Sequence, residues 1–229
     1  MDNSYILYHY PLSPFCRKVR LVLAEKKIDF ILREERYWEK RVAFQKLNPA
    51  GKVPALRKGK EVFADSQAIC EYIEAIAPDD TTRLIPENPR EQCEMRRLIS
   101  FFDEKFNQEV TSILVFERML RRIQKRGSPD ERRMKFGMEK LKNHTKYLQF
   151  LIMHRRWIAG DRLTLADLTV AAHLSCLDYV GAINWKKEEY AEIKGWYSRM
   201  KSRRAFKPIL SDHIRGYFSA FHYANVDFD

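Results

Sequence analysis

The sequence has no apolar run approaching the roughly 20 residues that a helical membrane span requires. Its first residues, Met1-Asp2-Asn3-Ser4, carry neither the basic nor the apolar stretch of a secretory signal, so a cytoplasmic protein is expected. Cysteine is scarce: there are four, Cys16, Cys70, Cys93 and Cys176, widely scattered. No two have CxxC spacing and none sits in a metal-ligand pattern, which argues against dithiol exchange and a bound metal. Cys70, Cys93 and Cys176 lie in helical patterns beside apolar residues, where a cysteine is expected to act as a small buried hydrophobe.

Negative charge is the scarcer sign, with 31 Asp and Glu against 42 Lys and Arg, a formal net charge of +11 over 229 residues. The basic residues cluster at Arg118, Arg121, Arg122, Lys125 and Arg126 and again at Arg132, Arg133 and Lys135. Between the groups lies Gly127-Ser128-Pro129, a helix break, so the pattern describes the tip of a helical hairpin. No nucleic-acid-binding motif accompanies it, and no aromatics interleave as a stacking platform would need. A solvated helix face or a surface for an acidic partner is expected there, and nucleic acid is not.

What is present is material for a core. A hydrophobic fraction of 45% is ordinary for a globular chain, and the length allows one large domain or two small ones. Tyr5 to Tyr8 reads as a strand, and Phe15, Val19, Val22 and Leu23 mark one face of a helix over Cys16 to Lys26. Ile28 to Glu34 reads as a second strand, Glu39 to Lys46 as a short helical or irregular stretch, and Asn48-Pro49-Ala50-Gly51 as a turn. Val53 to Leu56 and Glu61 to Phe63 form a strand pair across Lys58-Gly59-Lys60, and Ile69, Tyr72, Ile73 and Ile76 lie on one face of a helix that begins at Ser66. This order is that of a small α/β domain, placed at residues 1–77.

After a linker at 78–89 the strand signals largely vanish. Met95, Leu98, Ile99, Phe102 and Phe106 begin one helical stripe, and Met138, Leu141, Leu148 and Leu151 a second, so residues 90–211 are expected to be all-α. Within them Thr164-Leu165-Ala166-Asp167 fits a capping box opening the helix of Leu165, Leu168, Ala172 and Leu174. Gly160 before it suits a helix stop.

Ser13-Pro14-Phe15-Cys16 joins the first strand to the first helix. A hydroxyl or thiol there meets the positive end of the helix dipole, where uncompensated N–H groups stabilise a thiolate or a bound anion. Ser13 and Cys16 are therefore the candidate catalytic residues, with Tyr8, His9 and Tyr10 nearby. The alternatives are that Ser13 only caps the helix and that Cys16 only packs.

Ser13-Pro14-Phe15-Cys16, Asn48-Pro49-Ala50-Gly51-Lys52-Val53-Pro54-Ala55-Leu56, Asp65-Ser66-Gln67-Ala68-Ile69 and Gly160 through Asp167 resemble, in that order, the motifs of the glutathione transferase superfamily. The resemblance spans nearly the whole chain. It implies an α/β thioredoxin-like N-terminal domain, an all-α C-terminal domain and a homodimer. It further implies that Pro54 follows Val53 through a cis bond and that the Val53 backbone pairs with the cysteinyl part of glutathione. Asp65 and Ser66 at a helix start would hold the γ-glutamyl carboxylate, Lys52 would reach the glycyl carboxylate, and Ser13 would polarise the thiol. The activity implied is conjugation of glutathione to an electrophile or, through Cys16, thiol transfer.

Two features point elsewhere. Arg36-Tyr37-Trp38-Glu39 places a tryptophan among charges, either over the pocket or as an anchor for a partner. The tail at 212–229, after Arg203-Arg204-Ala205-Phe206-Lys207-Pro208, retains Tyr217, Phe218, Phe221, Tyr223 and Phe228. A fraying end is normally polar, so these aromatics either dock on their own domain or are kept for another protein. Together with the Trp38 segment the tail resembles that of the alphaproteobacterial glutathione-transferase-like division proteins that bind the tubulin-like GTPase FtsZ. That implies a regulator of FtsZ filaments recruited to the division site, with weak or no transferase activity. Its partner-binding residues would be Trp38, Arg118, Arg121, Arg122, Arg126, His222, Tyr223 and Phe228, the basic ones complementing an acidic FtsZ.

Overall fold

The first apolar run forms strand β1 (Tyr5–His9), which lies inside a four-stranded sheet of order β2-β1-β3-β4. The computed structural model describes residues 4–228, and the chain divides into two units after Arg83. In the first unit β1 pairs in parallel with β2 (Phe30–Glu34), Tyr5 opposite Phe30, and antiparallel with β3 (Ala55–Lys58), Leu7 opposite Leu56. β3 starts two residues later than its apolar run suggests, since Pro54 has no N–H to give the ladder. It turns into β4 (Glu61–Ala64) over Gly59 and Lys60, and Gly59 has φ +57°, the left-handed value that the first loop residue of a type II′ turn requires.

Helix α1 (Pro14–Glu25) connects β1 to β2 and packs on α3 (Ser66–Ile76). Val19, Val22 and Leu23 of α1, Ile69 and Ile73 of α3, and Leu7 and Leu56 of the sheet are all buried. The segment after β2 is a 3₁₀ turn, Tyr37–Glu39, and a short α2 (Val42–Leu47). At the end of α1 the buried Lys26 Nζ lies 2.6 Å from Glu74 of α3 and donates to the Thr82 carbonyl, also at 2.6 Å.

The second unit begins with one helical run, α4 (Pro89–Ser100), α5 (Ser112–Val115) and α6 (Arg121–Ile123), joined by π-helical stretches at Phe101–Thr111 and Phe116–Leu120. After the break, where Gly127 has φ +79°, α7 (Glu131–His154) returns along it. The approach is close at Gly137, where a Cβ would stand 2.9 Å from Leu114 Cδ2. α8 (Leu165–Tyr179) is buried along its entire length, followed by α9 (Ala191–Lys201) and α10 (Lys207–Leu210). Cys70 and Cys176 are buried as expected, but Cys93 is exposed. The core face of α4 is Met95, Leu98 and Ile99, and Cys93 falls off that stripe.

A helix with no face to water must satisfy its polar residues inside the protein. Thr169 Oγ1 donates to the Leu165 carbonyl at 2.9 Å and Ser175 Oγ to that of Ala172 at 2.7 Å. His173 lies 3.0 Å from Thr111 Oγ1 through Nδ1 and 3.3 Å from Asp103 Oδ1 through Nε2, holding both ends of the first π-helical stretch. The expected capping box is formed: Asp167 Oδ2 accepts from the Thr164 N–H at 2.9 Å, and Oδ1 accepts from the Ile158 N–H at 2.8 Å.

Burial pushes the Asp167 carboxyl up to about 6, against the opposing pull of its N–H donors. Between about pH 4 and 6 the folded protein then keeps a proton that the unfolded chain has released. Stability from this group is full below that window and falls as pH rises through it. Asp167→Asn is expected to remove this slope, measured as the difference in urea midpoint between pH 5 and pH 7. Asp167→Ala strands two buried N–H donors and is expected to cost about 3 kcal/mol, read as a lowered midpoint at either pH.

Candidate functional site

In the first unit the chemistry-bearing residues gather at the end of β1. Ser13 is the N-cap of α1, with φ −88° and ψ 119°, and its Oγ accepts from the Cys16 N–H at 3.3 Å. Cys16 is fully enclosed, and its Sγ accepts from the Tyr10 N–H at 3.5 Å. A thiol without surface cannot form a mixed disulfide in this conformation, so the group expected to react serves here as packing and acceptor. Val53–Pro54 is cis, and Val53 and Pro54 are buried while Lys52 is exposed.

Asp65 takes φ +73° and ψ 127°, a conformation sparsely populated outside glycine. Its Oδ1 holds it there by accepting from the N–H groups of Gln67 at 2.8 Å and Ala68 at 3.0 Å. Ser66, the first residue of α3, is buried. Gln67 Oε1 is enclosed and has no hydrogen-bond partner among the described residues.

Trp38 is half-buried, edge-on to Tyr10 with ring centroids 4.8 Å apart and to Tyr37 at 5.2 Å. Burial, with a smaller contribution from nearby Cys16, holds the Tyr37 hydroxyl above the ordinary tyrosine range. Arg41 anchors the loop with a hydrogen bond from Nε to Glu35 Oε1 at 3.1 Å, the Glu35 carboxylate being wholly buried. The aromatic trio is a feature that the sequence reading missed, since it joins Tyr10 to residues 27 and 28 positions later.

In the second unit the basic hairpin is partly neutralised from within. Glu117 is fully buried, and its carboxylate lies 2.6 Å from Arg121 Nε and 3.3 Å from Arg133 Nε. It also accepts the Asp130 N–H at 2.9 Å, which ties the start of α7 to the preceding helix. Arg118 points back to the end of α8, donating to the Gly181 carbonyl at 3.1 Å. Arg122, Lys125, Arg126, Arg132 and Lys135 are the residues of the cluster that remain outward and exposed without an ion pair to Glu117.

The tail divides its aromatics between two jobs. Tyr223 is 1% exposed and its hydroxyl donates to the Ile209 carbonyl at 2.8 Å, while Phe228 packs on Trp185 and Tyr197 with centroids 4.9 and 5.7 Å away. These two, expected to meet a partner, face inward and hold the tail down, since burial removes their apolar rings from water. Phe218 and Phe221 are 86% and 92% exposed. His222 is partly exposed, with Nε2 donating to Asp178 Oδ1 at 2.8 Å. The tail sequence, rich in aromatics throughout, did not reveal which rings turn outward.

A β2-β1-β3-β4 sheet with a cis-proline before β3, in a chain whose second unit is helical, defines the two-domain class of thioredoxin-like transferases. The glutathione S-transferase N-terminal domain model matches residues 7–81 and the C-terminal domain model matches residues 110–204. The chain belongs to the glutathione S-transferase family. Among its relatives, FtsZ-localized protein A of Caulobacter vibrioides is 41% identical, with both chains covered in full. Two solved structures superpose closely. A glutathione S-transferase from Rhodospirillum rubrum F11 has 41% identity and a TM-score of 0.92 over 97% of this chain and 99% of that one. FzlA from C. crescentus has 40% identity and a TM-score of 0.93 over 98% of this chain and 99% of that one. No helix among the described residues is long and apolar enough to cross a membrane, and no group of three metal-ligating side chains occurs among them.

Two outcomes follow from the burial pattern. Of four thiols, the exposed Cys93 alone is expected to react promptly with a thiol-titrating disulfide in the native protein, and all four after denaturation. Prompt reaction of a second native thiol, mapped to Cys16 by mass spectrometry, would contradict the enclosed site. Ser13→Ala removes a helix cap and is expected to cost about 1 kcal/mol of stability in denaturant titration, whatever it does to activity.

Proposed function

We propose that this protein is a cell-division regulator that uses the glutathione transferase fold as a scaffold to bind FtsZ filaments, acting in the cytoplasm at the division site with weak or no transferase activity. The observation that carries this reading is the full-length 41% identity to FtsZ-localized protein A. The surfaces that suit it are the outward tail rings Phe218 and Phe221 and the exposed cations of the hairpin tip, Arg122 and Arg126 among them. Exposed large aromatics supply contact area, and positive charge steers an acidic filament surface into register. Trp38, half-buried on its aromatic neighbours, adds a rigid ledge in the first unit. A homodimer would carry two copies of each surface and so bridge two filaments or two subunits, raising avidity without new contacts.

Catalysis by the inherited site is the second reading, favoured by the polar groups around cis-Pro54. In that reading the Val53 backbone pairs with the cysteinyl part of glutathione, Lys52 reaches its glycyl carboxylate, and Ser66 and the start of α3 take the γ-glutamyl carboxylate. Gln67 Oε1, an acceptor that no donor among the described residues fills, suits the γ-glutamyl ammonium. Ser13 Oγ would donate to the bound thiol and favour its thiolate, since a hydrogen bond to the charged form lowers a pKa.

Co-pelleting with FtsZ filaments is expected to disappear when the residues after Asp212 are deleted and to weaken about tenfold with Phe218→Ser and Phe221→Ser together, the loss of one or two interface anchors. Co-pelleting that survives the deletion would remove the tail from the interface. Light scattering is expected to give twice the 27.4 kDa chain mass. Calorimetric titration with glutathione separates the second reading: saturable binding with electrophile turnover that falls in Ser13→Ala supports catalysis, and no turnover across a broad electrophile panel leaves the scaffold alone.

A further inference from the structure

Two adjacent residues at the end of α8 hold the two halves of the tail. Tyr179 takes the first: its carbonyl accepts the Ala220 N–H at 2.9 Å, and its hydroxyl oxygen accepts the Ile214 N–H at 3.2 Å. Asp178 takes the second, through His222 at 2.8 Å, while the same Oδ1 accepts Trp185 Nε1 at 2.7 Å. Phe218 and Phe221 stand outward between these anchors.

The second anchor has a counterpart that neither catalysis nor packing accounts for. Lys201, the last residue of α9, is fully buried, and so is Asp178, 3.7 Å from its Nζ. Lysine ordinarily extends its ammonium to water along an apolar stem, so a sealed one must be compensated on every side. Nζ donates to the His222 carbonyl at 3.4 Å and to the Asn225 carbonyl, and it lies 4.0 Å from the centre of the Phe228 ring. Its partners are thus two tail carbonyls, a tail ring, Asp178 and, 5.6 Å away, the Tyr197 ring of α9 itself. Without the tail, the ammonium would lose both carbonyls and the Phe228 ring.

We propose that Lys201 is a positioning residue: with Asp178 it clamps residues 222–228 and so fixes the preceding turn with Phe218 and Phe221 outward, as a preformed knob for the filament. This rests on the reading that the tail meets FtsZ, and it adds the reason that the tail can do so at low ordering cost. A loop already held in its bound shape spends less binding energy on becoming ordered.

The test uses the full-length chain and two measurements. Lys201→Met strips the clamp but leaves Asp178 buried and uncompensated, so it is paired with Lys201→Met/Asp178→Asn, in which the residue 178 oxygen still accepts from Trp185 and His222. In the double variant, hydrogen exchange is expected to be at least about tenfold faster at the amides of Ala220, Tyr223 and Asn225, with the amides of α8 and α9 unchanged. Co-pelleting with FtsZ filaments should need about tenfold more protein for half saturation. In a Phe218→Ser/Phe221→Ser background the same clamp variant should add less than about twofold, because a residue that acts through those rings has nothing left to position.

Protected tail amides in the double variant would overturn the clamp. An opened tail with unchanged co-pelleting, or full additivity with the phenylalanine changes, would overturn the positioning role. Undiminished co-pelleting after deletion beyond Asp212 would instead sink the tail interface itself and the docking part of this proposal with it, while the exchange measurement still decides whether Lys201 holds the tail.

Discussion

The second unit is organised by the complete burial of α8, since a helix without a wet face dictates the position of everything its polar side chains must touch. At its start Asp167 fixes the loop at Ile158 and the helix cap at Thr164. In its middle His173 reaches Asp103 and Thr111 at the two ends of a π-helical stretch. At its end Asp178 collects Trp185, His222 and Lys201. The same demand for satisfied polar groups therefore builds the domain at one end and displays the tail at the other. Replacing any one of these side chains leaves its partners stranded, which costs more than the bond itself contributed.

The thioredoxin-like unit depends on a comparable economy of polar groups. Ser13 caps α1, Asp65 caps α3, and Cys16 accepts a backbone N–H, so groups with catalytic potential all have structural employment. An inherited site can lose its reaction and keep its residues under those conditions, because the fold still needs them. The Trp38 ledge, the hairpin tip and the turn that carries Phe218 and Phe221 lie outside that network, and these are the surfaces on which the proposed scaffold role rests.

Much of this architecture was legible in the residue order. Spacings of three and four in Val19, Val22 and Leu23, and in Ile69, Tyr72, Ile73 and Ile76, place α1 and α3, and the Thr164-to-Asp167 spacing places the start of α8. The resemblance of the Val53-Pro54 segment to its family foretold a cis bond, which is present. Local pattern was blind to Cys93, whose apolar neighbours sit on the opposite face of α4. It was equally blind to the sorting of the tail rings, and to Glu117, a carboxylate beside a basic run that looked purely cationic.

By itself the sequence determined the α/β and all-α halves, the helix starts and the transferase ancestry, because hydrophobic period, capping residues and turn residues act within a few positions of one another. Only the tertiary structure decided which charges stay free and which aromatics face water. Those outcomes turn on partners far apart in the chain, Glu117 with Arg133 or Lys201 with Asn225, and burial makes the choice by requiring each enclosed charge to find its counterpart.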